Sequence, residues 1–262
     1  MSAHPKITII TVCYNSELTI EETIQSVISQ DYDNWEYLII DGGSTDGTLQ
    51  IIDKYREKLA YVVSEPDGGI SDAFNKGIRL ASGDVIGLIN SDDLLAEGAL
   101  RVVAYNFSSD IDVYRGNLII EDGKSGKRYL SRPTMKFSKM SRINNVCHPS
   151  TFVKSEAYKK WGAYRVGFKY MMDVDLLYRF YQAGAKFEYL NATLAVFRTG
   201  GRTDYSWKHK LEEHNQMLML NDFPKWLQMY KNGCFLIYNL LKNFLDKIVG
   251  IDNLRNMKYG SH

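Results

Sequence analysis

The chain has 262 residues, 45% of them hydrophobic, with 32 basic against 31 acidic side chains and a net charge of +1. This length and apolar content suit one large α/β domain or a domain with an appended helical piece, and we favour the second. With this net charge nothing at the level of the whole chain indicates a nucleic-acid partner, so any phosphate must be bound locally. Cys13, Cys147 and Cys234 match no metal-ligand spacing, which predicts reduced thiols in a cytoplasmic protein.

The first 110 residues alternate short β-branched runs with stretches of helical periodicity, which is typical of parallel βαβ units. Strands are predicted over residues 6–12, 35–41, 60–64 and 84–90. Helices are predicted after Ser16, which we expect to be an N-cap, and over 45–58, 71–81 and 96–106. Because parallel strands end at one edge of their sheet, the residues that follow them should border one cleft.

The regular alternation of predicted strands and helices ends after Asp112. A helix is predicted over 173–183, and short strands are predicted over 113–121, 146–153, 187–189 and 195–197. The segment 124–142 holds seven basic residues and no acid. We interpret it as a solvated loop, with a site for a phosphorylated partner as the alternative.

The C-terminal segment predicts a helix that starts near Asp222 and Pro224. Apolar side chains recur there at helical spacing as far as Ile248, with lysines between them. Contact with the domain or a second subunit and contact with a membrane interface both remain open. The amino terminus lacks the pattern of a signal peptide, and no run reaches the roughly 18 apolar residues that span a bilayer.

Acidic residues stand at the ends of predicted strands, at Asp41 and at the adjacent pair Asp92 and Asp93, and Asp173 opens a predicted helix. Two neighbouring carboxylates repel each other and destabilise the fold unless a cation or a donor-rich ligand compensates. A divalent metal ion that carries a nucleotide diphosphate would supply that compensation.

Five short motifs follow one another along the chain: TVCYN at 11–15, DGGSTDGT at 41–48, NSDD at 90–93, MDVDL at 172–176 and RTGG at 198–201. In their order and spacing the chain, from about residue 7 to residue 203, resembles the inverting glycosyltransferases of family 2. The resemblance implies an α/β fold of the GT-A, Rossmann-like type, with a central mixed, mostly parallel sheet flanked by helices. A C-terminal helical extension lies outside it.

We therefore expect a GT-A glycosyltransferase domain over 1–203 and a helical extension over 204–262. Within the domain, 1–110 would bind the nucleotide and 111–203 the acceptor. The implied reaction moves a sugar from a UDP- or GDP-sugar to a hydroxyl of a glycan or lipid-linked acceptor, as in bacterial surface polysaccharide assembly. The sequence names neither the sugar nor the acceptor.

The resemblance implies a metal ion and a general base. Mn²⁺ or Mg²⁺ would be held by Asp93, the last acid of the DXD-like motif, with Asp92 near the ribose or supporting the metal. A helix N-cap is the structural alternative for this pair. Asp173 aligns with the base of the family, although Met172 replaces the usual glutamate, and an N-cap is again the alternative. Asp175 should be structural and pair with Arg179 at i+4.

Other residues are assigned to the donor by resemblance. Thr11, Tyr14 and Asn15 would lie along the nucleotide, Asp41 would bind the nucleobase, and Asp67 would lie beside the base or ribose. A carboxylate that accepts from a ring N–H favours uracil or guanine.

The diphosphate is the least defined part of the donor, because the arginine that some relatives carry near the third helix is missing. Lys76 or backbone N–H groups at the start of that helix would replace it. Arg198 would reach a phosphate from a flexible loop, and His148 would border the acceptor cleft, with an ordinary structural role as the alternative for each.

Other functions agree less well with the sequence. A nicotinamide-dependent dehydrogenase would need a G-x-G-x-x-G turn after the first strand, and it is absent. A nucleotidyltransferase that makes activated sugars would carry a glycine-rich phosphate loop with a basic residue after the first strand, and residues 11–16 have neither. An inactive nucleotide-sugar-binding module would be expected to have lost Asp93 or Asp173. The expected location is the cytoplasm, with peripheral contact to the cytoplasmic face of the inner membrane or a homodimer through the C-terminal helix.

Overall fold

A computed structural model describes residues 4–123, 125–135, 146, 148–200 and 207–249. The first half of the chain contains β1 (Ile7–Cys13), α1 (Ile20–Ile28), β2 (Trp35–Asp41), α2 (Thr48–Asp53), β3 (Tyr61–Ser64), α3 (Ile70–Leu80) and β4 (Val85–Asn90). There follow β5 (Leu94–Leu95), α4 (Ala99–Tyr105), β6 (Val113–Asp122), β7 (Arg128–Ser131), β8 (Thr151–Lys154), α5 (Ser155–Trp161), α6 (Met172–Gln182), β9 (Phe187–Thr199), α7 (Trp207–Leu220) and α8 (Lys225–Val249).

The strands of the described residues form one nine-stranded sheet in the order β3-β2-β1-β4-β8-β6-β9-β5, with β7 paired to β6. Strands β3, β2, β1 and β4 run parallel, as predicted for the first half of the chain. Strand β8 is antiparallel to both β4 and β6, and β9 returns parallel to β6. The carboxyl ends of β1, β2 and β4 therefore meet at one edge.

Helices cover both faces of this sheet. Along β1, Ile7 and Ile9 pack in a buried cluster with α1, α2 and α4, whereas Ile10 and Val12 pack on the other face with α3, α5 and α6. The alternation follows from the two-residue period of a strand. Met217 of α7 lies buried in the second cluster, as does Leu227 of α8, so the predicted extension contributes to the core of the domain.

The buried Glu36 ties β1 and β2 to the turn before β4. It accepts hydrogen bonds from Thr8 Oγ1 at 2.6 Å and Ser82 Oγ at 2.7 Å, and it pairs with Lys6 Nζ at 2.8 Å. Burial alone would raise the pKa of this carboxyl, but these donors outweigh it and lower the pKa to about 2.

Several local predictions were wrong. The first helix begins at Ile20, after an N-cap at Thr19 rather than Ser16, whose hydroxyl instead pairs with that of Ser91 at 2.8 Å. Leu94 and Leu95 form a strand on β9, so neither Asp92 nor Asp93 caps a helix there. The two short strands predicted over 187–189 and 195–197 are one strand, β9, with register shifts opposite β6, and α5 and α7 were not predicted.

Some predictions lie wholly or partly outside the described residues. Of the basic segment 124–142, only 125–135 are described, and they include β7. Cys147, Gly201 and Thr203 lie outside, and the side chains of α8 after residue 241 are not described. Among the helices of the described ranges, none has the length and hydropathy needed to cross a bilayer.

Candidate active site

The loop after β4 carries two carboxylates in different surroundings. The Asp93 side chain is fully buried, and it accepts hydrogen bonds from the backbone N–H of Arg198 and the side-chain amide of Asn90, both at 3.1 Å. Asp92 keeps part of its surface exposed. Burial and then the neighbouring Asp92 raise the pKa of Asp93 to about 7, and burial also raises the pKa of Asp92.

These surroundings fit a cation that approaches Asp92. Two adjacent carboxylates with raised pKa values gain from a positive charge, and the buried Asn90 Oδ1 has no hydrogen-bond partner. Oxygen ligands of this kind suit Mg²⁺ and Mn²⁺. In the ranges that the structure describes, no three His, Cys, Asp or Glu side chains cluster as a metal site.

Asp173 is the second residue of α6, and its carboxylate is held from one side only. Oδ2 accepts hydrogen bonds from the backbone N–H of His148 and pairs with His148 Nδ1, each at 3.0 Å. Oδ1 is buried and has no hydrogen-bond partner, beside a small cavity that Tyr158 and Tyr164 also line. The N-cap of α6 is Met171, with no side-chain cap bond, so Asp173 does not serve as a plain cap.

His148 lies between the two sets of acids. Its Nδ1 pairs with Asp173, its Nε2 is buried without a hydrogen-bond partner, and its ring meets Phe74 edge-on at 5.0 Å between centroids. Burial lowers the pKa of His148, but Asp173 and then Asp93 and Asp92 outweigh it, so the pKa is raised. The structure therefore brings together the predicted metal loop, base and histidine.

Two cations assigned to the diphosphate are paired within the protein. Arg198 of β9 forms ion pairs with Glu22, Nη1 to Oε2 at 2.5 Å, and with Glu121, Nε to Oε1 at 3.5 Å. Lys76 Nζ pairs with Glu65 Oε1 at 2.9 Å. Both cations therefore already have acidic partners within the protein.

Two residues assigned to the nucleotide have side chains that are buried and bonded within the protein in this structure. Thr11 is fully buried, with its hydroxyl 2.8 Å from that of Tyr37. Asp41 is also fully buried, and its two oxygens organise the turn after β2 by accepting from the backbone N–H of Gly43, the backbone N–H and hydroxyl of Ser44, the hydroxyl of Ser64 and the thiol of Cys13.

The remaining nucleotide residues lie on the loops above these buried groups. Tyr14 is 55% exposed, and Asn15 has a φ of 49° with its Oδ1 accepting from Thr45 N–H at 2.7 Å. The Asp67 carboxylate lies against Gly42, where a Cβ would come within 2.8 Å of Oδ2. Gly42 thus lets the loops after β2 and β3 approach each other closely.

Sequence reasoning missed Glu213, which lies on α7. Its carboxylate accepts from three successive backbone N–H groups, those of Lys169 at 2.9 Å, Tyr170 at 2.7 Å and Met171 at 3.0 Å. These residues lead directly into α6 and Asp173. No local spacing in the sequence indicates this contact, because Glu213 lies far along the chain from residues 169–171, in a segment whose helix was not predicted.

Asp175 holds the other side of α6, as predicted for a structural residue. It is fully buried, with Arg179 Nε 2.9 Å from Oδ2 and Arg165 Nη1 2.7 Å from Oδ1. Asn221, at the end of α7, donates to Oδ1 at 2.9 Å. Helix α7 therefore contacts both ends of the first turn of α6.

Comparison with known proteins identifies the family. The model of glycosyl transferase family 2 matches residues 8–162. The chain belongs to this family. It is 30% identical over 195 residues to the putative glycosyltransferase EpsE of Bacillus subtilis (strain 168). The aligned residues cover 70% of this chain and 69% of that protein.

Two solved structures share the fold. The S. aureus TarS 1-349 complex with UDP-GlcNAc superposes with a TM-score of 0.66 and 19% identity, covering 95% of this chain and 77% of that one. The mannosyltransferase PcManGT from Pyrobaculum calidifontis, in complex with GDP-Man and Mn²⁺, superposes with a TM-score of 0.62 and 18% identity. The superposition covers 83% of this chain and 63% of that one. The predicted GT-A fold and transferase class are confirmed, and the nucleotidyltransferase alternative is set aside.

Proposed function

We propose that this family 2 enzyme transfers a sugar from a UDP- or GDP-sugar to a hydroxyl of a glycan or lipid-linked acceptor, with inversion and with help from a divalent metal ion. The observation that carries the proposal is the Asp173 carboxylate, which is held through Oδ2 by His148 and whose other oxygen, Oδ1, lies beside Tyr158 and Tyr164. The donors named for TarS and PcManGT support a nucleotide-sugar donor.

Asp92 is our candidate for the protein ligand of Mn²⁺ or Mg²⁺, in place of Asp93. Both Asp93 oxygens already accept hydrogen bonds in a fully buried position, whereas Asp92 retains exposed surface. The bound ion would neutralise the charge that develops on the departing phosphate. Asp93 would orient the loop by tying it to β9 and would add negative charge beneath the ion.

The acceptor hydroxyl needs a base, and Asp173 Oδ1 is the candidate atom. Two contacts from His148 fix Oδ2, and Oδ1, which is buried in this structure, would accept the hydroxyl proton once an acceptor reaches it, as the oxygen attacks the anomeric carbon and the phosphate departs. Proton removal by a positioned carboxylate contributes about 10² to 10⁴ in rate. One base and no protein nucleophile predict a single in-line displacement and therefore inversion.

The donor would lie over the exposed parts of the loops after β1, β2 and β3, where Tyr14, Asn15 and Asp67 are found. Asp41 and Thr11 would act beneath this surface by fixing the loops rather than by touching the nucleotide. Arg198 and Lys76 would bind the diphosphate in competition with their ion pairs to Glu22, Glu121 and Glu65.

Calorimetry and product analysis test this proposal. UDP or GDP should bind more tightly with Mn²⁺ than with EDTA, and Asp92→Asn should remove the difference. Asp173→Asn should bind donor like the wild type while transfer falls by about 10² to 10⁴. Wild-type transfer rates in Asp173→Asn, or retention of configuration in the product, would refute the mechanism.

A further inference from the structure

Helix α8 presents an apolar surface to solvent. Trp226 is 63% exposed and Met229 is 76% exposed, and the same face continues through Tyr230, Ile237, Leu240 and Leu241, each more than half exposed. Their spacings of three, four and, between Tyr230 and Ile237, seven residues are those of one helix face, so they form one stripe along about four turns of helix. We call these six residues the α8 stripe.

The face of α8 that meets the domain carries both apolar and polar contacts. Leu227 is buried in the same cluster as Met217 of α7, and the Phe235 ring stacks on His214 with centroids 4.8 Å apart. Asn232 Oδ1 lies 2.9 Å from His214 Nδ1, and Asn232 Nδ2 donates to Asn215 Oδ1 at 2.9 Å. A helix that packed only on its own domain would place polar side chains outward, whereas the α8 stripe places apolar ones there.

A second copy of the chain or a lipid surface could cover such a stripe, and the charge of α8 distinguishes between them. Residues 223–245 contain three lysines, at 225, 231 and 242, and no acid. A second copy would bring the same net positive charge to the contact, and like charges at close range destabilise it. An anionic lipid surface offers the complementary charge, and the exposed Trp226 and Tyr230 are of the kinds that lie at the boundary between headgroups and acyl chains.

We propose that the α8 stripe lies in the interface of an anionic phospholipid bilayer, with the helix parallel to the surface. The described part of α8 does not span a bilayer, which agrees with an interfacial position. This inference concerns where the enzyme is held and does not depend on the identity of its donor or on the role of Asp173.

Vesicle sedimentation of the full chain is the test, with phosphatidylcholine alone compared with phosphatidylcholine mixed with phosphatidylglycerol. The wild type should sediment with the anionic vesicles, and added salt should release part of it. A Trp226→Ser and Ile237→Ser double variant should lose about tenfold or more in partition coefficient, because membrane binding scales with buried apolar area. The matched control, Leu18→Ser with Tyr105→Ser, removes two exposed apolar side chains elsewhere and should bind like the wild type.

Both double variants replace exposed residues, so far-UV circular dichroism and melting temperature should match those of the wild type. The inference is overturned if the wild type does not sediment with anionic vesicles, or if the α8 double variant sediments equally well. It is also overturned if light scattering without lipid shows a dimer that the α8 double variant abolishes, because the stripe would then be covered by a second copy.

Discussion

Glu213 tests whether the C-terminal helices serve the catalytic site. Glu213→Gln removes the negative charge that accepts from the N–H groups of Lys169, Tyr170 and Met171, and it leaves one oxygen to accept where two did. The loop that leads into α6 should loosen, and the next residues include Asp173. We expect the catalytic rate to fall more than the affinity for donor.

The magnitude follows from the contacts. A hydrogen bond to a charged group contributes about 1.5–3 kcal/mol when water is excluded. Glu213 is only partly buried and Lys169 is exposed, so water can replace part of what is lost. The loss of stability should therefore resemble the removal of a helix cap, about 1–2 kcal/mol. A displacement of the base by about 1 Å can lower the rate by about 10²-fold, so we expect a 10- to 100-fold lower kcat.

The assay is steady-state transfer with kcat and KM for donor resolved, together with urea unfolding. Glu212→Gln is the matched control, because it makes the same charge change at the adjacent, exposed position of α7. The reasoning fails if Glu213→Gln and Glu212→Gln have the same kcat. It also fails if KM for donor rises while kcat stays unchanged, because the loop would then act on binding rather than on the base.

Three further predictions follow from the site and the sheet. His148→Ala should lower kcat about tenfold, which is less than the effect of Asp173→Asn, because the backbone N–H of residue 148 still donates to Asp173 Oδ2. Its affinity for donor, measured by calorimetry, should not change. With UDP present, Mn²⁺ should raise the melting temperature of the wild type but not of Asp92→Asn. Glu36 has its pKa lowered from 4.5 to about 2, so its ionised form stabilises the fold above pH 4.5 and this is lost as pH falls toward 2. Glu36→Gln should therefore lower the free energy of unfolding at pH 7 by up to about 3 kcal/mol. In urea unfolding, the difference in this free energy between variant and wild type should shrink as pH falls from 4.5 toward 2. A difference that stays constant with pH would refute the assignment.

The fold of the first half was predictable because its signals are local. Strand β2 matches its predicted bounds, and α3 differs by one residue at each end, since β-branched runs and helical periodicity are each read from neighbouring residues. Helix α7 was missed because its polar and apolar residues do not segregate clearly along the sequence, and its place is set by distant contacts such as that of Glu213.

The residue types of the site were predictable, but the direction that each side chain faces was not. Asp92 and Asp93 are adjacent acids after one strand, and nothing in their sequence indicates which is buried. That is decided by β9, which pairs with Leu94 and Leu95 and donates the N–H of Arg198 to Asp93 from a position far along the chain. Asp41 illustrates the same limit, because its donor Ser64 lies on another strand.

The base is positioned by groups that come from separate parts of the chain. His148 precedes β8, Glu213 lies on α7, and the two act on opposite sides of Asp173, the first on its carboxylate and the second on the backbone that enters its helix. Asp175 then fixes the same turn to Arg165, Arg179 and the end of α7. Because α8 continues from α7 and carries the stripe that we place in a membrane interface, contact with lipid would bear on the helix that holds the loop before the base.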